Sequence, residues 1–77
     1  MKTWNVKYNG NEIRVENTWK AERLFINNKL HDEGRGITAR SKLIGRLSEG
    51  QLVKVTIWGD FGMHCKIFVE DEIVLDK

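Results

Sequence analysis

The chain has 77 residues, with 13 Lys and Arg against 11 Asp and Glu for a formal net charge of +2. That length holds one domain, residues 1–77, with no room for a linker; it buries only about 60% of the surface its unfolded chain exposes, and so small a charge does not by itself point to nucleic acid. Cys65 is the only cysteine, which excludes a disulfide framework and a multi-thiolate zinc site and suits a reducing, cytoplasmic setting. No stretch is apolar enough for a signal peptide or a membrane span, so no membrane partner is expected.

Proline is absent, and β-branched and aromatic residues recur along the chain as they do in strands. Lys2 to Tyr8 alternates, with Trp4, Val6 and Tyr8 on one face and Thr3, Asn5 and Lys7 on the other. Asn9-Gly10 is the strongest short-range hairpin signal, because both central residues of the favoured turn need positive φ. On the return, Ile13 and Val15 turn inward. Asn17 to Glu22 is ambiguous: Asn17 or Thr18 can cap a helical turn, yet neither has the Glu or Gln three residues later that completes a capping box. Arg23 to Ile26 and Lys29 to Asp32 flank a second hairpin turn, Asn27-Asn28.

Gly34-Arg35-Gly36 is a flexible break, beyond which Ile37, Ala39, Ser41 and Leu43 share a face. A helix over Thr38 to Leu47 competes with that strand, but Gly45 penalises it by roughly 1 kcal/mol relative to Ala. Gln51 to Trp58 follows, with Val53, Val55 and Ile57 inward and Leu52, Lys54, Thr56 and Trp58 outward. Gly59-Asp60-Phe61-Gly62 makes the return, Cys65, Ile67 and Val69 face inward again, and a last hairpin around Glu70-Asp71 closes on Ile73 to Leu75. The fold class is all-β: a small antiparallel sandwich or partly open roll of six to eight strands built from hairpins. Its expected core is Val6, Ile13, Val15, Leu24, Ile26, Leu43, Val53, Val55, Ile57, Ile67 and Val69.

Charge is unevenly placed. Arg35, Arg40, Lys42 and Arg46 form a basic stripe without an acid between them, and Lys54, Trp58, Lys66 and Phe68 share a face parity on the next strands. Cations beside flat rings are what single-strand binders use for phosphate contact and base stacking. The plainer alternative is a solvated strand exterior. The glycine-flanked return carries Phe61 and Met63 beside Trp58, and these three are the candidate protein contacts, unless Phe61 or Met63 folds back to plug the end of the sandwich. Trp4 is read as core and Trp19 is open to either reading.

Metal binding has little support. His31-Asp32-Glu33 and His64-Cys65 lie far apart in the chain, and neighbours on a strand point to opposite sides. The same geometry keeps Cys65 from pairing with His64 as nucleophile and base. No Gly-x-Ser-x-Gly, His-Glu-x-x-His or phosphate-cradling glycine motif is present. No catalytic residue, metal site or cofactor is therefore assigned.

The order of the pieces resembles the β-sandwich domain of Fas apoptotic inhibitory molecule. That family opens with Trp-x-Val and a short hairpin into Ile-x-x-Glu-His, where this chain has Trp4-Asn5-Val6 and Ile13-Arg14-Val15-Glu16-Asn17. Its Lys-Arg, three apolar residues and Asp-Gly-Lys are similar to Glu22-Arg23-Leu24-Phe25-Ile26-Asn27-Asn28-Lys29, its Lys-Leu-Val-Gly to Lys42-Leu43-Ile44-Gly45, and its last hairpin to Ile67-Phe68-Val69-Glu70-Asp71-Glu72-Ile73. The His after Glu16 and the glycines of two turns are missing. The resemblance implies a sandwich that acts through protein contacts without catalytic residues. From residues and resemblance together, the expected function is a non-catalytic module binding a protein partner or its own copy. The alternative is single-stranded nucleic-acid binding through Arg40, Lys42, Arg46, Lys54, Lys66 and Trp58.

Overall fold

The computed structural model describes residues 1–35, 40–59 and 62–77, with Arg40 described by its backbone alone. Eight strands follow in chain order: β1 Lys2–Tyr8, β2 Asn11–Asn17, β3 Ala21–Ile26, β4 Lys29–Arg35, β5 Arg40–Arg46, β6 Leu52–Gly59, β7 Met63–Val69 and β8 Glu72–Asp76. They form two four-stranded antiparallel sheets, β1-β2-β3-β4 and β5-β6-β7-β8, each a meander. The two packed layers are those of a small β-sandwich, as the alternation in the sequence predicts.

The tight turns obey backbone chemistry. Asn9 and Gly10 have φ of 48° and 78°, and Asn27 and Asn28 have 51° and 66°, the paired left-handed conformation of a two-residue hairpin turn. Glu70 takes φ 54° without the benefit of glycine. Its own groups hold it there: its N–H donates to the Leu52 carbonyl at 2.8 Å, and its carboxylate accepts the Leu52 N–H at 3.0 Å.

Residues 17–22 form no helix. Asn17 ends β2, Ala21 starts β3, and Thr18 closes the turn between them. Its Oγ1 accepts the Lys20 and Ala21 N–H groups at 3.2 and 3.0 Å, a local side-chain bond that competes with helix. The competing helix at Thr38 to Leu47 is likewise replaced, over its described part, by β5. Ile37, Thr38 and Ala39 lie outside the described residues.

Between the sheets lie Ile13, Val15, Leu24, Ile26, Leu43, Val53, Val55, Ile57, Ile67 and Val69, all buried as expected. Val6 is only partly buried at the edge, while Trp4, Leu47, Cys65 and Leu75 complete the core. Burial pushes the Cys65 thiol up to about 12, so it is a neutral packing residue. On β3, Glu22, Leu24 and Ile26 point inward at Ser41, Leu43 and Gly45 of β5. The Ser41 hydroxyl donates to the otherwise enclosed Glu22 carboxylate, which joins the two sheets at this corner. Gly45 is required here: a Cβ would stand 2.9 Å from Ile26 Cδ1 and 3.1 Å from both Leu24 Cδ2 and His31 Cβ.

The same corner protects an edge. The β3–β4 register shifts by one residue between Leu24 and Phe25, which sets Asp32 opposite the inward-facing Leu24. From there Asp32 Oδ2 accepts the Ile44 N–H of β5 at 2.8 Å. An inward-pointing acid on one edge strand thus caps a free donor on the next, a known device against edge-to-edge pairing.

Candidate binding face of the second sheet

Strand register decides which outward side chains meet. On the outer face of β5-β6-β7-β8, Arg40 pairs with Trp58 and Trp58 with His64; Lys42 pairs with Thr56 and Thr56 with Lys66; Ile44 pairs with Lys54 and Lys54 with Phe68, which in turn faces Ile73. Three rows therefore run across the sheet, aromatic at one end and mixed cationic and apolar toward the other. The sequence expectation that Lys54, Trp58, Lys66 and Phe68 share a face holds. Lys42 joins them through register with Thr56. Arg46 lies further along, where its guanidinium donates to the Gly50 carbonyl at 2.8 Å and braces the β5–β6 turn. The Arg40 backbone is in the top row, and its side chain lies outside the described residues. Arg35 is on the other sheet, at the end of β4, so the stripe read from sequence spans two sheets.

Trp58 stacks on His64, with centroids 5.5 Å apart and planes at 24°. A shallow depression of about 320 Å³ is lined by Thr56, Trp58, Lys66 and Phe68. A smaller one of about 130 Å³ adjoins it, lined by Lys42, Ile44 and Lys54 among others, with Thr56 and Phe68 shared between the two. Trp58 and Phe68 stand four residues apart by register, about 13 Å along the strands. Together these form an open trough with a ring at each end and three ammonium groups along it.

The two outer faces differ in electrostatics. On the first sheet, the arginines are matched: Arg14 lies 3.2 Å from Glu16, Arg23 lies 2.5 Å from Glu33, and the Arg14 guanidinium covers the Phe25 ring at 4.3 Å. The Arg23 hydrogen bond, with help from Arg35, holds the Glu33 carboxyl below its usual value against partial desolvation. On the second sheet, among the described residues, Lys42 and Lys54 have no carboxylate partner. Lys66 has only Asp76, at 3.9 Å. Two cations are thus left for an external anion, with Lys66 beside them in its long pair with Asp76.

Met63 opens β7 and folds back against the core, with its sulfur against Gly59, so the exposed loop position expected of it is not what the structure shows. Its backbone was needed in the ladder opposite Gly59. Phe61 lies outside the described residues. Of the three candidate protein contacts, Trp58 alone is placed on the open face. His64, Thr56 and Ile44 were missed from sequence; only the exact register puts His64 over Trp58. Among the described residues no group of three or more His, Cys, Asp or Glu converges for a metal, and no helix is long and apolar enough to cross a membrane. Comparison of the chain with protein-family models, curated proteins and solved structures finds no match.

Proposed function

We propose that this protein is a non-catalytic module that binds single-stranded nucleic acid across the outer face of β5-β6-β7-β8. The observation that carries this reading is the set Lys42, Lys54 and Lys66, of which Lys66 alone has a carboxylate partner among the described residues, along a trough walled by Trp58 and Phe68. Ammonium groups neutralise backbone phosphates, rings stack on bases whatever their identity, and an open sheet admits a flexible strand where a duplex would not lie flat. Lys54→Ala is expected to weaken binding uniformly across sequences. Trp58→Ala and Phe68→Ala each remove a stacking platform, worth about 1–3 kcal/mol per base. Fluorescence anisotropy with a labelled mixed-sequence oligonucleotide measures all three. Wild-type affinity in all three folded variants would end the reading.

A second reading rests on the row that crosses the sheet at Phe68, where Ile44 and Ile73 are 55% and 50% exposed. That apolar band supports docking of a protein partner or of a second copy of the chain. Sedimentation velocity across concentration tests the latter, and a strict monomer at high concentration removes it. The kinship with the Fas apoptotic inhibitory molecule domain stays a proposal about architecture. A cytoplasmic setting fits the one buried thiol, Cys65.

A further inference from the structure

Trp19 belongs to neither the core nor the binding face. It is 83% exposed, on the β2–β3 turn that Thr18 holds closed by accepting two backbone N–H groups and donating to the Ala21 carbonyl at 3.0 Å. A large apolar ring is therefore displayed on an ordered tip. Register places basic residues on either side: Lys2 of β1 is opposite Asn17, one residue before the turn, and Arg35 of β4, itself paired with Glu33, is opposite Ala21, directly after it. Lys20 sits in the turn itself, its Nζ 4.9 Å from the Trp19 ring. Lys2 is held at the same end by donating to the Met63 carbonyl at 3.2 Å.

Three glutamates of the first sheet near this end are occupied. Glu16 faces Arg14, Glu22 is buried against Ser41, and Glu33 bridges Arg23 and Arg35. Among the described residues, the Glu49-Gly50 and Glu70-Asp71 turns lie at the opposite end of the sandwich from Trp19.

From this arrangement we infer that the Trp19 tip is a second interaction surface, one that adsorbs to an anionic phospholipid surface. An indole flanked by lysines suits the headgroup layer, where its apolar body and polar N–H are both accommodated, and basic residues are attracted to a negatively charged leaflet. Such adsorption needs no membrane-spanning run, and it departs from the sequence expectation of no membrane partner. The surface is independent of the face on the second sheet.

The test is co-sedimentation of the full chain with vesicles of phosphatidylcholine alone and with about one-third phosphatidylserine. Binding is expected to the anionic vesicles only. Lys20→Glu is expected to lower the affinity at least about fivefold, and Trp19→Ala about tenfold or more. Both positions are exposed, and thermal unfolding confirms that the variants fold. Trp58→Ala is expected to bind vesicles as the wild type does. Absence of anionic-vesicle binding at low salt would overturn the inference, as would wild-type binding by Trp19→Ala or a loss confined to Trp58→Ala.

Discussion

Gly45→Ala probes the corner where the two sheets meet. The added methyl would approach Ile26 Cδ1 at 2.9 Å and Leu24 Cδ2 and His31 Cβ at 3.1 Å. Leu24 and Ile26 are fully packed, so neither side chain has free space to retreat into, and overpacking of this kind costs about 1–3 kcal/mol. Gly45 does not adopt positive φ, so Ala also recovers about 0.4–1 kcal/mol by restricting the unfolded chain. The net expectation is a loss of about 1–2 kcal/mol, a fall in Tm of roughly 5–15 °C for a domain this size. Ile26→Val removes the Cδ1 atom that comes closest. Alone it should destabilise by about 0.5–1.5 kcal/mol, yet in the Gly45→Ala background it should cost less or restore stability. Thermal and urea unfolding of the four proteins measures this coupling. A Tm for Gly45→Ala at or above wild type, or strictly additive effects, would refute the packing argument.

Other expectations follow from the same geometry. Asp32→Ala leaves the Ile44 N–H without its acceptor; it should lose about 0.5–1.5 kcal/mol of stability and open the β5 edge, read as concentration-dependent association in sedimentation velocity. Unchanged stability in a strict monomer would contradict the edge-capping role. Cys65 should resist iodoacetamide in the native state and react readily in urea. Because its folded pKa is raised to about 12 from 9.0, the thiol's contribution to stability is complete below about pH 9 and declines as pH rises toward 12; rapid native alkylation would be inconsistent with its burial. Glu33, held low chiefly by Arg23, stabilises the fold fully above about pH 4.5 and less as pH falls through its lowered value. Glu33→Gln should therefore flatten the acid side of the Tm profile, and an unaltered profile would count against the Arg23 pairing.

The strands were legible because their alternation is clean: Val53, Val55 and Ile57 against Lys54, Thr56 and Trp58 admit one register, and Asn9-Gly10 admits one turn. Residues 17–22 were not, since Thr18 serves a helix cap and a strand turn equally well until Ala21 is seen to accept its hydroxyl. Gly45 was legible as a poor helix residue but not as the position where Ile26 needs room, which depends on the opposite sheet. The candidate face was half visible. Parity brought Lys54, Trp58, Lys66 and Phe68 together, but Met63 turned inward, and the stacking of His64 on Trp58 depends on cross-strand register that no local pattern encodes. That Lys42 and Lys54 lack carboxylate partners among the described residues, whereas Arg14 and Arg23 have them, is a tertiary fact with no local signature.

The dependence of oligonucleotide affinity on salt tests the central claim most directly. With phosphates at Lys42, Lys54 and Lys66, log K should fall against log salt with a slope of about −2, roughly a 20-fold loss between 50 and 200 mM. Lys54→Ala should reduce the slope by about 0.7. No binding at low salt, or binding indifferent to salt, would contradict the account.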